Sequence, residues 1–117
     1  MIVDLTLENQ RVAATPIEVR GAASEWDGSR LHHWACNQGA HAVRHMLAAA
    51  LGLPQSHVLV TTPDVGGGFG SKSGASLEET LVAWTAIRLG RPTRWTKTRR
   101  EHMVAIGHGR AQRQRTR

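Results

Sequence analysis

Residues 64–72 read Asp64-Val65-Gly66-Gly67-Gly68-Phe69-Gly70-Ser71-Lys72, and the flanking segments must fold to support them. Successive glycines leave backbone N–H groups unobstructed, so such a loop can approach an anionic ligand closely. A short β-rich run at 58–62 precedes the loop, and Ser76-Leu77-Glu78-Glu79 after it is a capping box. The sequence therefore predicts a strand, a glycine loop and a helix in succession.

Two nucleotide-binding motifs are similar to this loop without matching it. A Walker A loop needs a glycine immediately before its lysine, and Ser71 stands at that position. The dinucleotide fingerprint Gly-x-Gly-x-x-Gly fails because Ser71 or Ser73 occupies the place of its third glycine. A nucleotide-phosphate site in which Lys72 contacts the phosphate stays as one alternative. A flexible turn before the capped helix is the other.

Hydrophobic periodicity predicts the elements on the N-terminal side of the loop. Alternating apolar and polar residues over 2–7 predict a strand. Residues 39–51 place apolar side chains on one helical face, with Asn37 as the expected N-cap. Residues 8–35 have no sustained period and are predicted mainly as loop, apart from a strand near 31–35.

The elements after the loop follow from capping boxes and helix-ending residues. The helix that begins after Ser76 is predicted to end at Gly90, and its Leu77, Leu81 and Trp84 share one face. A strand at 93–96 and a short helix at 99–106 follow it. The whole order predicts a mixed α/β (α+β) fold of short strands with two to three helices.

Charge separates the end of the chain from the rest. The 117 residues carry a net charge of +6, and residues 88–117 hold ten of the fifteen Lys and Arg but only one of the nine acids. We expect one partial domain over residues 1–109 and a basic, disordered tail over 110–117. A small nucleic-acid-binding module is an alternative, but the tail has no aromatic side chain on which bases could stack.

Other residue types restrict the function further. No apolar run is long enough to cross a bilayer, and the N-terminus has no export signal. The single cysteine, Cys36, cannot form an internal disulfide, which favours a reducing compartment such as the cytoplasm. His41 and His45 have the helical spacing of a metal pair, but no second ligand pair follows, so no metal site is predicted.

Several separated blocks together resemble one known family. In order and spacing, the chain is similar to the first molybdopterin-binding region of molybdenum hydroxylase large subunits, namely xanthine dehydrogenase, aldehyde oxidase and, most of all, carbon monoxide dehydrogenase. The blocks are Glu18-Val-Arg-Gly21, Asn37-Gln38, Leu51-Gly-Leu-Pro54, residues 63–72, Leu89-Gly-Arg-Pro92, Arg99-Arg-Glu-His102 and His108-Gly-Arg110. The resemblance fades after Arg110, so we expect the natural continuation to be replaced there.

The resemblance implies a molybdenum–molybdopterin cofactor and its contacts. Gln38 stands where the family places a glutamine that reaches the oxygen ligand of molybdenum. The contacts implied in the loop are Gly67, Gly68, Phe69 and Gly70, mainly through backbone, and Phe69 would also wall the substrate channel. Purine-oxidising members have a glutamate where this chain has Ser73, which favours a substrate other than a purine.

The resemblance also implies that parts of the machinery lie elsewhere. Family subunits are several times longer, and their catalytic glutamate lies far downstream of this region. We assign no catalytic residue here, because Glu78, Glu79 and Glu101 occupy helix N-termini, where carboxylates are stabilising. The full complex would oxidise an aldehyde, a heterocycle or carbon monoxide and pass electrons to flavin and iron–sulfur partners. The isolated chain is expected to be incomplete and inactive.

Overall fold

A four-stranded sheet with two helices on one face forms the centre of the chain. The computed structural model describes residues 4–116. Its strands are β1 (Leu5–Asn9), β2 (Gly21–Trp26), β3 (Leu31–Ala35), β4 (Val58–Thr61), β5 (Thr93–Thr96) and β6 (Gln112–Thr116). Its helices are α1 (Ala40–Leu51), α2 (Leu77–Leu89) and α3 (Arg99–Ala105). The mixed α/β class predicted from the sequence is confirmed.

The central sheet has the strand order β4-β3-β2-β5. A tight turn joins β2 to β3 as an antiparallel hairpin, in which the Asp27 carboxylate accepts hydrogen bonds from the N–H groups of Ser29 and Arg30 at 2.8 and 2.6 Å. Gly28 in this turn has φ 99°, a region that favours glycine. Helix α1 connects β3 to β4, which are parallel, and β5 pairs antiparallel with β2.

Alternate residues of the strands face the helices and form the core. Leu31 and Val58, opposite each other on β3 and β4, pack against Val43 and Leu47 of α1 and Ala83 of α2. All five are buried. The period-two pattern of β3 and the helical spacing of α1 therefore meet at one apolar layer, which fixes both elements against each other.

The helix boundaries agree with the predicted ones, with one correction. The capping box of Ser76 and Glu79 starts α2, and Gly90 ends it with φ 59°. Asn37 was expected to cap α1, but the N-cap is Gly39 and no side chain bonds there. Asn37 instead accepts a hydrogen bond from the Gly39 N–H at 2.8 Å, because its buried side chain closes the turn that precedes the helix.

Helix α2 turns a different face to the core than its large apolar residues suggest. Leu77, Leu81 and Trp84 are at least half exposed, whereas Val82 and Ala83 are buried against the sheet. Small residues on the inner face let the helix lie close to β2, and this favours them over the larger side chains. The apolar face formed by Leu77, Leu81 and Trp84 is therefore exposed on the surface of the described chain.

Strands β1 and β6 form a separate two-stranded antiparallel ribbon, in which Leu5 pairs with Thr116 and Asn9 with Gln112. This corrects the expected disorder for residues 112–116. Backbone pairing with β1 orders the segment although it has no apolar face. Part of the strand predicted at 2–7 falls on residues 2 and 3, outside the described residues. The loop predicted over 8–35 is also corrected, because it contains β2.

Candidate functional site

The glycine loop lies between β4 and α2, and three of its residues have a left-handed backbone conformation. Gly67 has φ 94° and Gly70 has φ 80°. Between them Phe69 has φ 51°, a conformation that costs a non-glycine residue roughly 1–2 kcal/mol. Its side chain is 75% exposed, so burial of the ring does not compensate for this strain. The surrounding contacts must hold the backbone in this shape.

The loop presents unused hydrogen-bond donors along one stretch. Within the described residues, the N–H groups of Gly67, Gly68, Phe69 and Gly70 donate to no protein atom. The following residue closes the turn, since the N–H and hydroxyl of Ser71 both donate to the carbonyl oxygen of Gly68, at 2.9 and 2.7 Å. The strained stretch therefore offers successive backbone donors to a ligand.

Gln38, just before α1, packs directly on this loop. Its N–H donates to the Lys72 carbonyl oxygen at 3.1 Å, and its Oε1 accepts from the Lys72 N–H at 3.2 Å. A Cβ added to Gly68 would collide with the side-chain amide of Gln38. An alanine at position 68 would therefore have to displace this amide from the loop. The five residues predicted for the cofactor site lie together in space.

Lys72 faces inward, not towards the free N–H groups. Its side chain is fully buried, and its Nζ donates to the Glu18 carboxylate at 2.6 Å. A Walker lysine must instead extend its ammonium group to a phosphate. The nucleotide-phosphate alternative therefore gains no support from the loop geometry.

Family comparison assigns the loop and Gln38 to a known domain. A family model described as the molybdopterin cofactor-binding domain matches residues 1–117. The chain belongs to this molybdopterin-binding family. It is 39% identical over 104 residues to the nicotine 6-hydroxylase large subunit of Paenarthrobacter nicotinovorans, a match that covers 87% of this chain and 13% of that protein. It is also 32% identical over 102 residues to the carbon monoxide dehydrogenase large chain of Hydrogenophaga pseudoflava, covering 86% and 13%.

A solved structure gives the same assignment at the level of fold. The crystal structure of quinoline 2-oxidoreductase from Pseudomonas putida 86 superposes with a TM-score of 0.82 at 38% identity, covering 97% of this chain and 15% of that one. The molybdopterin-binding chain thus spans a small fraction of the length of its relatives. The family match through residue 117 also corrects the expectation that the resemblance fades after Arg110.

The residues present fit the molybdenum–molybdopterin group of this family. Its phosphate and oxo groups are hydrogen-bond acceptors, and the loop offers consecutive free N–H donors at 67–70. The Nε2 amino group of Gln38 also has no partner among the described residues, since only its Oε1 is bonded. A side chain at position 68 would fill the space that the Gln38 amide occupies. Donors without added charge suit a site next to a metal–oxo centre.

The acidic residues near the loop have structural partners. Glu78 accepts from Lys97 at 2.9 Å, and this hydrogen bond lowers the pKa of Glu78 to about 2. Glu79 closes the α2 capping box and pairs with Arg20, while Glu101 closes the capping box of α3. These bonds account for the three carboxylates without a catalytic role.

The other candidate groups have local roles in the structure. No cluster of three metal-ligating side chains is present in residues 4–116, and the His45 Nδ1 accepts a hydrogen bond from the Gln55 Nε2 at 3.0 Å. The Cys36 thiol is buried and donates to the Val19 carbonyl oxygen at 3.3 Å. Over the same residues no helix is long and apolar enough to span a membrane.

Sequence reasoning missed the residues that surround the loop. A cavity of about 560 Å³ beside Phe69 is lined by 12–15, 69–71 and 107–109. Behind the loop, Glu18 and Arg20 contact its two ends. The sequence signal for these two residues was the Glu18-Val-Arg-Gly21 block, which carried the resemblance but received no role.

Proposed function

We propose that this chain forms one wall of the molybdenum cofactor site in the large subunit of a molybdenum hydroxylase. Gln38 and the backbone of Gly67, Gly68, Phe69 and Gly70 would hold the cofactor. The observation that carries the proposal is the close packing of Gln38 on Gly68, which places an unused amide Nε2 next to unused loop N–H groups.

In this proposal the chain binds and orients, and the cofactor supplies the redox chemistry. When bound, the molybdenum centre would provide the oxygen for hydroxylation and accept the electron pair. The Gln38 amide would donate a hydrogen bond towards it, and the exposed Phe69 ring would exclude water from the substrate side. Because Glu78, Glu79 and Glu101 are committed elsewhere, the proton acceptor would lie outside this chain, and the chain alone would be inactive.

The proposed substrate class is an aldehyde, a nitrogen heterocycle or carbon monoxide. Relatives named for nicotine, quinoline and carbon monoxide support this range. Ser73 after Lys72 supports a substrate other than a purine. We further propose flavin and iron–sulfur partners that remove the electrons, and a cytoplasmic location, where the Cys36 thiol would remain reduced.

Metal and pterin analysis tests this function. The complete large subunit containing this segment would be produced in a host that makes the cofactor, and molybdenum and pterin would be quantified per subunit. We expect a stoichiometric content in the wild type and a strong loss in Gly68→Ala, because the added methyl displaces Gln38. Gly107→Ala is the matched control, since its backbone φ is ordinary and a Cβ there meets no atom within 4 Å. A wild-type subunit without molybdenum would refute the proposal.

A further inference from the structure

The two ends of the glycine loop are held by two residues of the segment just before β2. These residues are Glu18 and Arg20, with Val19 between them. The segment is itself anchored, because the Arg20 carbonyl oxygen accepts from the Lys97 N–H at 2.8 Å. Both charged side chains therefore reach the loop from a fixed base.

Glu18 binds the beginning and the end of the loop at once. Its carboxylate Oε2 accepts from the Gly66 N–H at 2.9 Å and from the Lys72 Nζ at 2.6 Å. Its own N–H donates to the Gly66 carbonyl oxygen at 3.1 Å. A Cβ on Gly66 would lie 2.6 Å from the Glu18 Cβ, so the two backbones are in close contact.

Arg20 binds the segment that leaves the loop. One guanidinium nitrogen donates to the Ser71 carbonyl oxygen at 3.1 Å, and the other donates to the Gly74 carbonyl oxygen at 3.4 Å. The second nitrogen also contacts both carboxylate oxygens of Glu79, at 3.0 and 3.1 Å. Arg20 is 8% exposed and Glu79 is fully buried, so the pair ties the loop to the start of α2 away from water.

We propose that Glu18 and Arg20 are positioning residues that hold the glycine loop in the conformation in which its free N–H groups meet the cofactor. The strained backbone at Phe69 gives the physical need for such a clamp, because an unsupported loop would relax out of it. The inference rests on the proposed function for the identity of the ligand. The holding of the loop itself depends only on the contacts described.

Arg20→Lys separates loop positioning from general stability. Lysine keeps a positive charge opposite Glu79, but it has one nitrogen where arginine has several, so it cannot reach Ser71, Gly74 and Glu79 together. Amide hydrogen exchange of Ser71 and Lys72 in this chain, followed by NMR, is the primary measurement. We expect both to exchange about tenfold faster, with a melting temperature within about 4 °C of the wild type.

The matched control is Lys97→Met, which breaks an ion pair between a buried lysine and the partly exposed Glu78 at the start of α2, a pair that does not touch the loop. It should leave the exchange of Ser71 and Lys72 unchanged. If Arg20→Lys also leaves these rates unchanged, the clamp is refuted. Glu18→Gln provides an independent second variant at the other end of the loop, for which the Gly66 amide should exchange faster.

Cofactor content of the complete subunit links the clamp to the proposed function. We expect the affinity for the molybdenum cofactor to fall roughly tenfold in Arg20→Lys, as with supporting contacts at other metal sites, and to stay unchanged in Lys97→Met. Faster loop exchange in Arg20→Lys together with a wild-type subunit that holds no cofactor would support the clamp and refute the proposed function. Unchanged exchange in a molybdenum-loaded subunit would refute the clamp alone.

Discussion

The glycine-loop region and the β1–β6 ribbon both contain ion pairs, but only the pairs of the glycine-loop region reach into the interior. Lys72–Glu18 and Arg20–Glu79 each have at least one fully buried partner. Arg113–Glu8 joins β6 to β1, and Arg115 of β6 pairs with Asp4 just before β1; all residues of both strands are exposed. The same residue types therefore have different roles. In the interior, a missing partner is costly, so a pair can fix a loop, whereas at the surface water substitutes for either partner.

Glu18→Gln should give the largest loss of stability. It leaves the fully buried ammonium group of Lys72 without an anionic partner. We expect the free energy of unfolding to fall by about 3 kcal/mol, at the lower end for a broken buried pair because Glu18 is 36% exposed. Urea unfolding at pH 7 measures it. The double variant Glu18→Gln, Lys72→Met should recover part of the loss, and a double variant as unstable as the single one would contradict this reason.

Acidification should destabilise the sheet through His33. Its Nδ1 bonds to the Ser24 hydroxyl at 2.7 Å, and burial, with the nearby charge of His32, lowers the pKa of His33 from 6.5 to about 4. The unfolded chain therefore binds the proton first, and the stabilisation present above pH 6.5 is lost as pH falls towards 4. We expect a loss of roughly 2–3 kcal/mol over this interval.

Urea titrations at several pH values measure this loss, and His33→Asn should flatten the dependence above pH 4.5. Below pH 4.5, Glu78 adds a second loss, since Lys97 lowers the pKa of this carboxyl to about 2 in the folded chain. An unchanged slope in His33→Asn would assign the effect to another group.

Gly66→Ala should have an intermediate effect on the free energy of unfolding, because it disturbs the contact between the loop and Glu18. The added Cβ would lie 2.6 Å from the Glu18 Cβ, whose backbone is itself bonded to Gly66 and cannot move away freely. Overpacking of this kind costs about 1–3 kcal/mol, measured by urea unfolding. Gly107→Ala is the control, because a Cβ there has no neighbour within 4 Å and should change the stability little. Equal effects of the two substitutions would mean that the loop adapts to the methyl group.

Local sequence signals predicted much of the interior. Capping boxes depend on residues three apart, so Ser76–Glu79 and Thr98–Glu101 are visible in the sequence and both are present in the structure. The glycine loop and Gln38 were found because the family resemblance marks them. Glu18 and Arg20 act over about fifty residues of sequence separation, through contacts that no local pattern shows. Their role could be inferred only from the folded structure, which brings them next to the loop.

Two features that local patterns did not show have the same physical origin, which is that tertiary contacts decide them. Residues 110–117 have the composition of a disordered tail, yet β6 takes its order from β1, more than one hundred residues away. The face of α2 that carries Leu81 and Trp84 lies outward, because Ala83 and Ala86 allow closer packing on the sheet. In both cases the partner element decides the outcome, not the segment itself.

Glu8→Gln in the ribbon should have the smallest effect. The pair of Glu8 with Arg113 spans 3.4 Å between side chains that are about three-quarters exposed, so solvent screens it and its loss changes the free energy of unfolding by less than about 0.5 kcal/mol. The measurement is again urea unfolding, at low and at high salt, with Glu18→Gln as the counterpart. High salt should abolish what little difference Glu8→Gln makes and should leave most of the Glu18→Gln effect, because ions do not reach the buried Lys72. A loss at Glu8 as large as that at Glu18 would show that the ribbon, and not burial of the clamp, limits the stability of the chain.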